Sequence, residues 1–374
     1  MSEIDAVRLE SEVYPVVKIH AFGEIKNGGT PSSDEENWDG DIPFITPPDL
    51  NGLDSKSVAS VGRTITELGL KQGSNLVENG VIISGRAPVG YVGVVVTPSA
   101  FNQGCKAICT AQNHRYVAYA LTASKSNLQM LANGTTFSEI SSTALANYAI
   151  PLPPLEIQRR IADYLDRETA EIDAAVADLD KYVELLEKRR SMITSDALTG
   201  ADSVKLAHLV RFGNGQDWKD VATPDGEFPV YGSGGEFGRA SNFLHDGEAI
   251  LFGRKGTVDR PIYVDEKFWT VDTMYYAVPN KDKCLGKYIF YWATTIPFET
   301  ITTNTALPSV TSMDLSQLYV PLPPLESQQR IADYLDRETA EIDSLIADST
   351  KLRDLLLKRR SVLITEVVTG RKQV

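Results

Sequence analysis

The sequence predicts an α+β protein: two mixed α/β domains joined by two long antiparallel coiled-coil helices, with a pseudo-twofold internal duplication. Three observations carry this expectation. A 50-residue stretch occurs twice, at 151–200 and 321–370; the copies align without a gap and are identical at 32 of 50 positions. Each copy keeps apolar residues at seven-residue spacing, the period of a coiled-coil seam. The segments in front of the copies, 1–150 and 201–320, follow one outline in different letters.

In chain order, residues 1–14 are polar and acidic and are expected to fray. A strand-like run at 16–25 leads into the turn cluster Lys26-Asn27-Gly28-Gly29-Thr30-Pro31. Ile42-Pro43-Phe44-Ile45 reads as a strand closed by Pro47-Pro48. The runs at 81–84 and 92–96 read as buried strands flanking the tight loop 85–91, and 113–131 reads as one helix.

The second variable segment repeats these features. Gly213-Asn214-Gly215 echoes Asn27-Gly28, and 228–231 echoes 42–45. The stretch 249–257 echoes the strand and the Gly85-Arg86 loop, which sets Arg254 opposite Arg86. Residues 137–156 align with 307–326. A shared frame with changed loops suits two readers of different ligands; drift after duplication would give the same pattern.

In the repeats, Pro151, Pro153 and Pro154 set an extended entry before helix can begin. Leu165, Ile172, Leu179, Leu186 and Ile193 form the first seam, widened by Ala175, Val176, Tyr182 and Val183. Leu335, Ile342, Leu356 and Leu363 form the second, with Ser349 interrupting and Leu345, Ile346 and Leu352 beside it. Thr199-Gly200 and Thr369-Gly370 stop both helices. About 40 helical residues make a rod of about 60 Å. Two such helices share their seams only when antiparallel, which puts a domain at each end and brings the chain termini together.

Composition narrows the function classes. A net charge of −13 argues against a protein that coats nucleic acid nonspecifically, and no segment is a basic arm. Any DNA contact is expected through a local face, with help from a more basic partner. The absence of an early apolar leader or a run of about 18 apolar residues points to a cytoplasmic location rather than a membrane. Three cysteines make an odd, sparse set, and Cys105-x3-Cys109 has no second ligand pair near it.

Catalytic constellations do not emerge. A P-loop signature is missing. The stretch 232–238 fails the dinucleotide-binding glycine pattern at its last position, and Thr46-Pro47-Pro48-Asp49 lacks the asparagine and the aromatic residue of the Asn-Pro-Pro-aromatic loop of amino-methyltransferases. His20, His114, His208 and His245 have no metal spacing. The chain reads as non-catalytic, with no metal.

The duplicated PLPPLE-x-Q-x-R-I-A-D-Y-L-D block, with Gly28-Gly29-Thr30-Pro31, Trp38, Arg86-Ala87-Pro88-Val89-Gly90-Tyr91 and Asn102-Gln103-Gly104, resembles the specificity (S) subunit of type I restriction–modification enzymes. Tyr231-Gly232-Ser233-Gly234-Gly235, Arg254-Lys255-Gly256-Thr257, Val271-Asp272-Thr273-Met274 and Leu307-Pro308-Ser309-Val310 extend the resemblance through the second half. It covers nearly the whole chain, although residues 1–15 are short for the N-terminal helical segment that some members carry.

The resemblance implies target recognition domains at 1–150 and 201–320, each reading one half of an asymmetric bipartite site in double-stranded DNA. It implies conserved spacer helices at 151–200 and 321–374 that set the half-site spacing and dock two modification (methyltransferase) subunits, with two restriction (translocase/nuclease) subunits beyond them. No cofactor is expected in this chain; S-adenosylmethionine, ATP and Mg belong to those partners.

Residues expected at DNA are Lys26, Thr30, Ser32, Arg86, Tyr91 and Gln103, then Tyr231, Ser233, Arg254, Lys255, Thr257 and Thr273. Glycine-flanked loops let backbone approach phosphate while side-chain donors reach base edges. Leu165, Ile172, Leu179, Leu186, Leu335, Ile342, Leu356 and Leu363 are expected to form the coiled coil and docking surface. Half-sites are expected about one helical turn, roughly 10 bp, apart. A coiled-coil scaffold with two protein-binding modules is the rival reading, and it leaves the arginine–glycine loops unexplained. An enzyme acting on DNA alone is a second rival, and it lacks methyltransferase and nuclease motifs.

Overall fold

The protein, as a computed structural model, is described over residues 8–53, 55–133, 139–303 and 308–374. Two compact units divide it. The first holds residues 1–178 and 352–374, and the second holds 179–351. The long helices Leu155–Ala197 and Leu325–Val368 therefore contribute one half to each unit. Among the described residues no helix is long and apolar enough to cross a membrane.

In the second unit one six-stranded sheet runs in the order Val210–Asn214, Met274–Pro279, His245–Gly253, Ile262–Thr270, Phe228–Gly232, Gly235–Ala240. The first unit follows the same path in two pieces. One four-stranded sheet is Gly23–Asn27, Cys105–Thr110, Gly80–Ser84, Val92–Val95; the other is Thr64–Ile65, Trp38–Ile45, Ser99–Phe101, Asn75–Val77. The break has a local cause. Thr97-Pro98 falls between Val92–Val95 and Ser99–Phe101, and proline has no amide to continue the ladder. The second unit carries the unbroken strand Ile262–Thr270 at that place.

The registers make the duplication explicit. Gly80 pairs Val95 as Ala249 pairs Val264, and Ser84 pairs Cys105 as Gly253 pairs Met274. Ile45 pairs Phe101 as Tyr231 pairs Thr270, so the match of 42–45 with 228–231 holds residue for residue. A short antiparallel pair at each helix entry, Val16–Lys18 with Ala149–Pro151 and Ser203–Lys205 with Tyr319–Pro321, repeats as well.

A helix lies between the sheet and the long helices in each unit, and matching residues fix it. Tyr116 donates its hydroxyl to Pro151 O at 2.8 Å, and Tyr288 donates to Pro321 O at 2.6 Å. Tyr119 reaches Asp166 Oδ1 at 2.8 Å and Thr169 Oγ1 at 3.2 Å; Tyr291 reaches Asp336 Oδ1 and Thr339 Oγ1 at the same two distances. Arg115 pairs with Asp163 and Asp166, and Lys287 pairs with Asp336. Burial first, and then the aspartate, pushes the Tyr291 hydroxyl up to about 12 and raises Tyr119 likewise, so both remain donors.

Within each unit the helix halves run antiparallel. In the first, Arg360 meets Asp173 at 2.8 Å and Arg160 meets Val374 O at 2.5 Å. Leu165, Ile172 and Leu363 join Ile364, Val367 and Val368 in one core. In the second, Arg190 meets Asp343 at 2.7 Å and Arg189 meets Glu338 at 3.8 Å. Leu186, Leu335 and Ile342 are buried there and Leu179 is half-buried, while Leu356 is half-buried against the core of the first unit.

Four expectations need correction. Residues 8–14 pack instead of fraying: Leu9 enters the core, and Ser11 Oγ donates to Thr369 O at 2.7 Å. The single helix at 113–131 is two, His114–Ala123 and Lys125–Asn133, broken at Ser124, whose hydroxyl turns back to Ala120 O at 2.6 Å. Tyr182 and Leu352 stand outside the seam, 43% and 48% exposed. Ser349 does not interrupt the seam; it is buried at its heptad position.

Candidate nucleic-acid interface

Glycines let the loops at one end of each sheet come together. A Cβ on Gly28 would stand 1.8 Å from Asn102 O, and one on Gly215 would stand 1.8 Å from Val271 O. Only glycine permits that approach. The amides that follow seal it: Gly28 donates to Cys105 O at 3.3 Å and Gly29 to Phe101 O at 3.0 Å. Gly215 donates to Met274 O at 3.1 Å and Gln216 to Thr270 O at 2.9 Å, the same bonds on equivalent residues.

The 85–91 loop docks on this pair in the first unit. Gly85 and Arg86 both donate their amides to Gly104 O, at 2.8 and 3.2 Å, and Gly85 O accepts from Ile140 N at 2.9 Å. In the second unit Arg254 donates to Thr273 O at 2.7 Å and accepts from Val310 N at 3.2 Å. These bonds put Arg254 in the place of Gly85. Arg86 therefore corresponds to Lys255, and the expected Arg86–Arg254 equivalence is off by one residue. Sequence alone aligns the arginines because both follow a glycine; the strand register shifts the frame.

Of the residues expected at DNA in the first unit, Thr30, Gln103 and Arg86 gather on the converging loops. Thr30 Oγ1 donates to Gln103 Oε1, and Arg86 Nε pairs with Glu139 Oε2 at 2.8 Å while its side chain stays 49% exposed. Glu139 also faces the buried Lys106 ammonium at 3.7 Å, and Lys106 reaches Asn27 Oδ1 at 3.3 Å, where Ser142 also donates. Ser32 is held in its own turn: it donates to Asp34 at 2.7 Å and accepts from Asn37 Nδ2 at 2.8 Å. Lys26 stands apart, near the Cys109 thiol, whose pKa burial raises and Lys26 lowers. Tyr91 packs on the apolar face built from Ile45, Leu50 and Ile82, under the Lys125 ammonium at 4.3 Å.

In the second unit Arg254 and Lys255 are exposed on the loop beside Thr273, and Arg254 sits 5.8 Å from the Tyr275 ring. Lys255 has no ion pair among the described residues, unlike Arg86. Ser233 and Thr257 line a cleft of about 440 Å³ with Gly234, Gly235, Gly256, Asp259 and Arg260. Tyr231 points elsewhere, donating to Glu266 Oε1 at 2.9 Å. Sequence reading passed over Glu139, Lys106 and Arg260. Glu139 was findable: it aligns with Ser309, so a carboxylate that neutralises two cations in one unit is a hydroxyl in the other.

The arrangement offers donors on exposed loops over a rigid sheet, with a different charge pattern in each unit. Known proteins carry the same frame. The family described as the type I restriction modification DNA specificity domain matches residues 12–178 and 203–350. The type I restriction enzyme MjaIX specificity subunit of Methanocaldococcus jannaschii is 32% identical over 47% of this chain and 41% of its own length. The putative MjaX specificity subunit of the same organism is 25% identical over 63% of this chain and 62% of its own. The match thus spans less than two thirds of either relative. The Escherichia coli EcoprrI specificity subunit is 24% identical over 88% of both.

Among solved structures, a chain from work on complex assembly and conformational transition of the type I R-M system superposes with a TM-score of 0.78 at 16% identity, covering 97% of this chain and 100% of that one. The HsdS subunit from Thermoanaerobacter tengcongensis gives 0.53 at 16% identity over 97% and 98%. These two likenesses concern the fold alone. With the family matched in both halves and its duplicated frame reproduced register by register, this chain belongs to the type I restriction modification DNA specificity domain family.

Proposed function

We infer that this chain is the sequence-reading subunit of a type I restriction–modification complex, each unit reading one half of an asymmetric, split site in double-stranded DNA. One observation carries the reading. Two copies of one frame bring equivalent loops together at the same place, with Arg86–Glu139–Lys106 in one and Arg254, Lys255 and Tyr275 in the other. Equal frames with unlike donors are what two different half-sites demand. Lys255 is free to meet a phosphate or a guanine, whereas Arg86 must exchange Glu139 for DNA.

Under this reading the chain is non-catalytic, acts in the cytoplasm and holds no cofactor of its own. Methyl transfer from S-adenosylmethionine takes place on two modification subunits, and ATP- and Mg-dependent translocation and cleavage on two restriction subunits. Two docking surfaces support the pair of modification subunits. Tyr182, Leu185 and Met192 stand 43%, 53% and 65% exposed on the first long helix; Leu352, Leu355 and Val362, at the same repeat positions, stand 48%, 55% and 46% exposed on the second. The spacing i, i+3, i+10 puts each trio on one helix face. A duplicated apolar stripe outside the seam suits two copies of one partner.

Methylome sequencing of cells carrying the system tests the reading. A split, asymmetric methylated motif is expected, and a palindromic or continuous motif overturns it. Because the chain carries −13, the isolated subunit is expected to bind DNA weakly with a steep salt dependence, and the methyltransferase subunit to tighten it. Equal nanomolar affinity with and without that partner would count against the docking.

A further inference from the structure

The first unit closes one of its own clefts with a segment that the second unit lacks. Between the strands ending at Ile45 and beginning at Asn75, the first unit carries residues 46–74; between the equivalent strands the second carries only 233–244, whose strand Gly235–Ala240 turns back on Phe228–Gly232. Part of that longer insert joins the sheet edge. Val94 donates to Lys56 O and accepts from Val58 N, both at 2.9 Å, and Ser57 bridges Val94 in parallel. From this edge Lys56 reaches Asp173 on the first long helix at 2.8 Å, and Ser55 Oγ meets Thr122 Oγ1 at 3.1 Å.

Every receiving group has a counterpart in the second unit. Tyr263 holds the register position of Val94, because Ala249 pairs Val264 as Gly80 pairs Val95. Among the described residues nothing pairs with that edge at Tyr263. Asp343 occupies the repeat position of Asp173, Arg190 occupies that of Arg360, and Thr294 follows Tyr291 as Thr122 follows Tyr119. Asp173 meets two cations, Lys56 and Arg360; Asp343 meets Arg190 alone among the described residues. The cleft beside it has a volume of about 760 Å³, against about 420 Å³ where Lys56 sits; its charged lining is Glu187, Asp259 and Asp343 with Arg190 and Arg260.

We propose that the second unit takes from a partner what the first supplies from its own chain: an extended, lysine-bearing segment of a methyltransferase subunit. The segment adds to the Tyr263 edge as a parallel strand and delivers a lysine to Asp343. Open strand edges accept peptides in this way, with backbone bonds giving affinity and side-chain pockets giving choice. The acidic charge of the chain favours a basic visitor. Identifying the partner as a methyltransferase subunit rests on the function proposed above; the edge and the cleft do not.

Carbodiimide cross-linking of the full chain, free and assembled with its methyltransferase subunit, tests this by mass spectrometry. Lys56–Asp173 is expected in both states as the internal standard, and Asp343 joined to a partner lysine only in the complex. Hydrogen exchange at the Tyr263 amide is expected to slow on assembly, while Val94 is already slow in the free chain. Asp343→Asn is expected to weaken assembly about two- to fivefold, the range of a partly exposed ion pair, and Lys56→Ala to leave it unchanged. A complex in which Asp343 reaches no partner lysine, or in which Tyr263 exchange is unaltered, overturns the proposal while leaving the DNA-reading function intact. A chain that never assembles with the methyltransferase overturns both.

Discussion

The two units share registers and anchoring tyrosines but differ in how each holds its halves of the long helices. In the first, Asp173 holds Arg360, which is 7% exposed, together with Lys56 from the sheet-edge segment. In the second, Asp343 and Arg190 form a pair with side chains 59% and 43% exposed. Identical residues at identical repeat positions thus have different weight, because the neighbouring variable segment decides how much water reaches them. A duplicated anchor is not a duplicated energy.

The largest expected contrast comes from removing that charge in each unit. Asp173→Asn takes the carboxylate away from the buried Arg360 guanidinium and is expected to cost about 3 kcal/mol, near the lower end for breaking a buried pair; Asp343→Asn is expected to cost less than about 1 kcal/mol. Chemical denaturation of the two variants measures the difference, and equal losses would break the comparison.

The glycine pair should behave alike in both units. Gly28→Ala and Gly215→Ala each drive a Cβ into a carbonyl 1.8 Å away, so each is expected to lose about 3 kcal/mol. Each is also expected to abolish methylation of the split site, since that site needs both half-sites. Tyr119→Phe and Tyr291→Phe come next, at about 1.5–3 kcal/mol, since each removes a hydroxyl donated to a carboxylate. Both tyrosines are buried and make the same bonds, so similar losses are expected.

The smallest stability effects carry the sharpest functional reading. Lys255→Ala is expected to lower the salt dependence of DNA binding by about one phosphate contact with little change in folding. Arg86→Ala is expected to do so less, because Glu139 already holds it. Titrations of the assembled complex at several salt concentrations compare the two slopes; a steeper loss at Arg86 would reverse the assignment. Finally, four residues added within 170–181 lengthen the helix by about 6 Å, and are expected to change the spacer while both half-sites stay the same. Altered half-site bases would show that the repeat is more than a ruler.

Much of the frame was legible because it is written in local terms. The duplicated stretch, its heptads and its Thr-Gly stops need only periodicity and backbone preference to be read, and both long helices end where those stops predict. The Asn27-Gly28 and Asn214-Gly215 echo held because only glycine fits against a neighbouring carbonyl. The Arg/Lys-Tyr-x-x-Tyr pattern at 115–119 and 287–291 was equally visible and went unread, because its partners lie far along the chain, on the repeat. The candidate interface was less legible. Thr30, Gln103 and Arg86 do converge, but Ser32 closes its own turn, and Lys26 pairs across the sheet with Ala107 instead.

By itself the sequence determined the duplication, the family, the helical repeats and the glycines at which loops meet, since identity and spacing survive without coordinates. Only the tertiary structure decided that Arg86 answers to Lys255, that Pro98 splits one sheet into two, and that Lys56 fills a cleft left open in the second unit. Those outcomes depend on strand register and on which segment covers which edge. Both are set by contacts between residues far apart in the chain, which no local pattern encodes.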